Sequence, residues 1–208
     1  MHISEGVLSL PVIAGGWAIG AAGVAAGLRK TPAERLPKTA LLSATLFLAS
    51  LVHVPLGPSS IHLTLLGLSG WLLGWTALPA LFIALLLQGA LFQFGGLLSL
   101  GANTAIMGAA ALAGYTARLL FGGFHRSLRP GPALALSAFL AGFAAVIAGS
   151  LLTLAALVLS AGELRTTAAL IMAANVPLAF AEGALTLFIV LFLAKAKPDV
   201  LEPSRHKA

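Results

Sequence analysis

Seven long apolar stretches, at about 7–28, 39–54, 60–75, 78–94, 104–122, 133–160 and 168–194, leave this chain of 208 residues little room for anything else. A helix that crosses the hydrocarbon core of a bilayer takes about 20 mostly apolar residues, with a range of about 17–25. The third and fourth stretches are short, and read either as steeply inserted helices or as a re-entrant pair held against protein. Hydrophobic residues make up 59% of the chain, charged residues 9%, and the mean hydropathy is +1.02. A soluble domain is nearer to about 45–50% apolar and about 25% charged. A soluble enzyme, a disordered chain and a nucleic-acid binder are thereby excluded. The net charge of +6 does not rescue the last, because the cations sit in short clusters between apolar stretches. The expected fold is an all-α integral membrane protein, one bundle of about seven transmembrane helices. Residues 1–195 form its single transmembrane domain and 196–208 a polar cytoplasmic tail.

The basic residues set the orientation. Arg29, Lys30, Arg35 and Lys38 fall between the first two stretches, Arg118, Arg126 and Arg129 at and after the fifth, and Lys195, Lys197, Arg205 and Lys207 in the tail. With seven crossings all of these share one side, and only Arg165 lies on the other. The crowded side is cytoplasmic, which puts the N-terminus outside, the C-terminus inside, and the chain in the cell's inner membrane as a multi-pass protein. Residues 1–6 carry Glu5 and no cation, and the first cations follow the apolar run. That is the reverse of a secretory leader, so Met1 is expected to be the mature N-terminus.

Small residues announce close helix packing. Gly16, Gly20, Gly23 and Gly27 line one face of the first stretch, and Gly70 and Gly74 repeat the step in the third. In lipid, close backbone approach is a main source of helix association. The chain has no cysteine, so a metal site here must use nitrogen or oxygen.

Ionisable groups in a membrane protein are scarce and usually functional. His125 and His206 fall in polar cytoplasmic segments, whereas His2, His53 and His62 all belong to the outer face. Pro55, Gly57 and Pro58 force a tight turn between His53 and His62. A free α-amine, the following backbone amide and an imidazole at position 2 can chelate one ion with three nitrogens. One more imidazole completes a planar set, a geometry suited to Ni(II) or Cu(II). The alternative for His2 is a frayed terminal residue. For His62 the alternative is an interfacial helix cap or a packed histidine, and His53 reads as an accessory ligand or, by its place at a span end, as an interfacial histidine.

The combination of motifs is more specific. Met1-His2-Ile3-Ser4-Glu5-Gly6-Val7-Leu8 resembles the opening of the CbiM/NikM family, the metal-binding membrane components of cobalt and nickel energy-coupling-factor (ECF) transporters. Pro58-Ser59-Ser60-Ile61-His62-Leu63, with Leu66-Gly67 behind it, is similar to that family's small-Thr-Ser-x-His-Leu segment. Gln88-Gly89-Ala90-Leu91-Phe92, Gly95-Gly96-Leu97 and Leu100-Gly101-Ala102-Asn103-Thr104 resemble its third signature. The match covers about residues 1–110, and the remainder agrees in hydropathy. Phe94 and Leu66 stand where many or some relatives carry polar residues.

The resemblance implies a seven-helix component whose N-terminus plugs the outer face. It also implies a metal held by the Met1 amine, the His2 amide and imidazole, and the His62 imidazole. Glu5, Ser60, Gln88, Gln93 and Asn103 are then candidates to hold those ligands in place, since ligating imidazoles usually hand their other N–H to an oxygen. The ion, Co2+ or Ni2+, is the transported substrate, and no catalytic cofactor is expected. The chain has no Gly-Lys pair and hence no P-loop. It is therefore not an ATPase, and the resemblance assigns that task to partners. These are cytoplasmic ATPase subunits joined through an ECF transmembrane coupling subunit, with a small accessory membrane subunit in many systems. The small-residue first stretch and the other glycine-rich stretches are expected to offer docking faces for them.

Two rival readings come from other classes. One is a metal-independent membrane scaffold or organic-solute transporter, which would have no use for His2. The other is an intramembrane serine protease, since Gly67-Leu68-Ser69-Gly70 resembles a rhomboid nucleophile turn. A serine nucleophile needs a base within reach, and the only later histidines are His125 and His206.

Overall fold

Alanine, serine and threonine pack the middle of the bundle together with a smaller set of large side chains, Trp71, Leu66 and Leu81 among them. The computed structural model describes residues 3–56, 59–122, 131–160 and 165–201, with backbone alone at 53–56, 59–62, 122 and 165–172. Seven helices appear in it: α1 (Leu10–Arg29), α2 (Leu36–Leu51), α3 (Leu66–Leu73), α4 (Ala77–Phe92), α5 (Leu100–Ala117), α6 (Pro132–Ser160) and α7 (Arg165–Ala196). Between α2 and α3 runs an antiparallel hairpin of β1 (His53–Leu56) and β2 (Ser59–His62).

The core holds Ala77, Ala80, Ala84, Ala110, Ala111, Ala138, Ala141 and Ala145, with Ser69, Ser137 and Thr186 fully enclosed among them. Many other large apolar side chains point outwards: Leu10 is 76% exposed, Leu159 74% and Phe188 69%. Such a surface cannot face water over its whole extent. It suits lipid, where helices associate by close packing of small residues. By length and composition alone, five segments among the described residues suffice to cross a bilayer: Leu10–Arg29, Leu66–Phe92 (which joins α3 and α4), Leu100–Phe121, Pro132–Ser160 and Ala173–Ala196.

Glycines mark the tightest crossings. A Cβ on Gly70 of α3 would run into the Ala111 carbonyl of α5, and one on Gly67 into the Ala141 carbonyl of α6. A Cβ on Gly142 of α6 would meet the Glu182 backbone of α7. On α1, Gly16 rests on Ala102, and a Cβ on Gly20 would stand 2.6 Å from the Gly101 carbonyl oxygen. Gly23 and Gly27 face Leu78, Pro79 and the Trp75 carbonyl. The small-residue ridge of α1 is therefore covered by α4 and α5 of the same chain. This corrects the expectation that it offers a docking face, because backbones this close leave no space for a partner.

The short third stretch has a specific cause. Its first residues are strand, and the helix begins only at Leu66. α3 lasts eight residues, all buried, and stops at Gly74, whose φ of +59° no other residue adopts as readily. A single 3-10 turn, Gly74–Thr76, then reverses the chain into α4. The end of α3 shares a pocket with Lys38 and Arg118, whereas the end of α4 meets Phe47 near the end of α2. The bundle thus has a basic end and an opposite end. The hairpin, the N-terminal segment and the loop 93–99 gather at the latter.

Candidate metal centre

The N-terminal segment is seated by a side-chain amide that reads backbone. Asn103, in the first turn of α5, accepts the Ile3 N–H through Oδ1 at 2.9 Å and donates from Nδ2 to the Ile3 carbonyl at 3.0 Å. Ser99 Oγ accepts the second Nδ2 hydrogen at 3.3 Å and itself donates to the Gly95 carbonyl. Asn103 and Ser99 are both buried, so these bonds are shielded from competing water. Ile3 is buried with Leu8, Ile13, Ala102, Ala156 and Leu157. Two residues on, Glu5 Oε1 accepts the Leu98 N–H at 2.6 Å. The loop closes tightly there: Gly96 has a φ of +79°, and a Cβ on it would strike the Glu5 side chain. Trp17 of α1 completes the seat by donating from Nε1 to the Leu98 carbonyl at 2.9 Å.

The second element is the exit of the hairpin. The register of β1 and β2 sets His53 across from His62 as Cα partners. Immediately after β2 the chain meets Glu182, a fully enclosed carboxylate in the middle of α7. Its Oε1 accepts the Thr64 N–H, the Thr64 hydroxyl at 3.0 Å and the Leu65 N–H at 3.1 Å. Oε2 also lies 3.1 Å from the Leu65 nitrogen. These are donors that the start of α3 leaves unpaired, and a carboxylate there also suits the helix dipole. Leu65 pays for the sharp entry with a left-handed backbone, φ 51° and ψ 21°, unusual for a non-glycine residue.

The expected site residues fall out as follows. Met1 and His2 lie outside the described residues, as do the side chains of Ser60, His62 and His53. Asn103 and Glu5 meet at the N-terminal segment, through its backbone and its own loop contact respectively. Gln88 is buried beside Ser50, Thr64 and Met107, and its Oε1 has no hydrogen-bond partner among the described residues. Gln93 is exposed and serves as the left-handed cap of α4, φ 58°. Its backbone N–H donates to the Gln88 carbonyl. Phe94, one of the two departures, stacks on Phe92 with centroids 6.0 Å apart, and Leu66, the other, is fully buried in the core. Sequence reasoning missed Glu182 and Ser99. The signal for Glu182 was present: it is a carboxylate within an apolar span, the same rarity that singled out the histidines.

The protease reading finds no support in this geometry. Ser69 is fully enclosed within α3, and its hydroxyl donates to the Leu66 carbonyl at 2.8 Å.

A bundle that turns many large apolar side chains outwards, with its N-terminal segment and the hairpin exit each bonded to a helix side chain, defines a multi-pass membrane protein. Residues 2–200 match the family model CbiM, described as the cobalt uptake substrate-specific transmembrane region, and the chain belongs to that family. It is 36% identical to a proposed metal transport protein of Haemophilus influenzae, over 99% of both chains. It is 33% identical to the cobalt transport protein CbiM of Sorangium cellulosum, over 97% of this chain and 95% of that one. A crystal structure of a truncated transition metal transporter superposes with a TM-score of 0.75 at 27% identity, covering 94% of this chain and 99% of the other. The chain is thus a membrane component of cobalt/nickel transport.

Proposed function

We propose that this chain is the substrate-capturing component of an ECF-type importer of Co2+ or Ni2+, and that it takes the ion at the outer face. The Met1 amine, the His2 amide and imidazole, and the His62 imidazole make the chelate. The observation that carries this reading is the paired hydrogen bonding of Asn103 to both backbone groups of Ile3. An anchor of that kind, one residue after His2, serves a chain start that must hold a fixed position. The Glu182 cap on Thr64 and Leu65 is its counterpart two residues after His62. Glu5 holds the loop beneath, and Ser60 and Gln88 are the remaining groups available to orient the imidazoles.

The N-terminus faces outwards and the basic end faces the cytoplasm, in keeping with the distribution of Lys and Arg. Each nitrogen must lose or lack a proton to bind, so affinity falls as pH falls. ATP hydrolysis belongs to cytoplasmic partners, which act through a transmembrane coupling subunit, with a small accessory membrane subunit where one exists. Planar nitrogen geometry favours Ni2+ over Co2+.

Titration of the purified protein with Ni(II) and Co(II), with and without one residue added before Met1, tests the reading. The extension displaces the amine and makes the His2 amide an internal one, so tight binding disappears. Binding unchanged by the extension overturns the chelate.

A further inference from the structure

At the basic end a cavity of about 340 Å3 opens between α1, α2, the end of α3 and the end of α5. Four cations line it, Lys30, Arg35, Lys38 and Arg118, against two carboxylates, Glu34 and Asp199. Two of the cations are fixed by carbonyls. Lys38 Nζ donates to Leu72 at 3.2 Å and to Val200 at 2.6 Å. Arg118 donates to Trp71 at 2.6 Å and to Leu201 at 2.9 Å, with its guanidinium 4.4 Å from the Trp71 ring. Carbonyl acceptors orient these cations but carry no full negative charge, so a net positive potential stays in the cavity. The crowding registers on Lys38, which sits in the first turn of α2 ahead of its apolar part. Its ammonium is held down to about 8, first by burial and then by Arg118 and Arg35.

The rim is amphipathic. Lys30 Nζ rests 3.9 Å from the centroid of Trp75, and Tyr115 lies nearby, the aromatic pairing typical of a membrane boundary. Leu119 lines the cavity, and Leu28, Leu36, Leu119 and Leu120 at the same end are each more than half exposed.

We propose that this cavity seats the phosphate of an anionic phospholipid headgroup, with the acyl chains lying along the exposed leucines. Basic pockets between transmembrane helices on the cytoplasmic side suit such headgroups. Charge complementarity alone would also admit free phosphate, but free phosphate leaves the leucines at the rim without an occupant. The proposal concerns the end opposite the metal centre and stands whether or not the chelate does.

The test is a lipid titration of the purified protein in neutral detergent, followed by melting temperature and by native mass spectrometry. The probes are dioleoylphosphatidylglycerol, dioleoylphosphatidylcholine and millimolar inorganic phosphate. Phosphatidylglycerol is expected to bind about tenfold more tightly than phosphatidylcholine, with the preference shrinking as salt is raised. The double variant Lys30→Ala/Arg35→Ala should bring the two lipids within about twofold, and Lys30→Arg should keep the preference. An unchanged circular-dichroism spectrum and a single sharp elution peak certify that a variant is folded. If the double variant does not fold, Lys30→Gln and the salt dependence of the natural protein decide. Equal binding of the two lipids overturns the proposal, and so does a preference that survives loss of both cations. Inorganic phosphate competing as well as the lipid would mark a soluble-anion site instead. An acidic peptide that stabilises the protein where phosphatidylglycerol does not would mark a protein dock.

Discussion

The two ends of the bundle solve the same problem, holding a chain segment against helix ends, by opposite means. At the N-terminal end a neutral amide, a hydroxyl and two carboxylates bind backbone: Asn103 on Ile3, Ser99 on Gly95, Glu5 on Leu98, and Glu182 on Thr64 and Leu65. At the other end two cations bind backbone: Lys38 on Leu72 and Val200, and Arg118 on Trp71 and Leu201. A divalent cation gains from the first arrangement and is repelled by the second. An anion has the reverse preference. The difference teaches that the two ends hold backbone with groups of opposite sign, and the chelate proposed above lies at the end anchored by carboxylates.

The largest effects should come from breaking the chelate itself. His62→Ala, or one residue placed before Met1, is expected to weaken Ni(II) binding by more than about 100-fold, more than loss of a supporting group costs. Isothermal titration with an unchanged circular-dichroism spectrum checks this. Next comes Asn103→Ala, which orphans the Ile3 N–H and carbonyl. It should cost about 2–4 kcal/mol where these groups stay buried, and about 10–100-fold in metal affinity. Asn103→Asp keeps the acceptor and loses the donor, so it should fall between the two.

Glu182→Ala strands the donors of Thr64 and Leu65 and should lower stability by about 2–4 kcal/mol, with Glu182→Gln milder because one acceptor survives. If either variant binds metal with full affinity, the hairpin exit does not serve the site. A smaller effect is expected from Gly70→Ala, which pushes a methyl into the Ala111 carbonyl, at about 1–3 kcal/mol by melting temperature in detergent.

The smallest effect sits at the basic end. Lys38 gives up its proton near 8 in the folded protein and near 10.5 in the unfolded chain, so unfolding takes up a proton between those values. Stability therefore rises with pH across that window. The melting temperature of the natural protein should rise relative to Lys38→Met from pH 8 to pH 10.5, and a flat difference would show that Lys38 is not crowded.

Much of this fold was legible in the sequence because span length and small-residue spacing are local signals. Each of the seven apolar stretches contains a helix, five described segments are long and apolar enough to cross a bilayer, and the α1 glycines were placed correctly as packing residues. What they pack against was not legible, since that depends on which helices meet. The start of α3 was misplaced for a different reason. Residues 60–65 are apolar enough for a span, but they continue a hairpin and then take a left-handed turn at Leu65, neither of which hydropathy registers. Of the supporting groups, Asn103 and Glu5 were legible from motif alone. Ser99 lies between the quoted motif residues and was passed over, and for Glu182 the rarity of a carboxylate in an apolar span was visible while its partners Thr64 and Leu65, more than a hundred residues away, were not.

α3 carries a consequence for how the molecule is made. Its eight residues touch α5 through Gly70 and α6 through Gly67, and both of those helices are synthesised after it. At about 12 Å it is also too short to span the hydrocarbon layer by itself. The segment behind His62 therefore cannot reach its final seat while the ribosome is still producing the first half of the chain. Maturation of this face has to wait for the last three helices, so a truncated product ending after α4 would carry every proposed ligand and still lack the means to hold them.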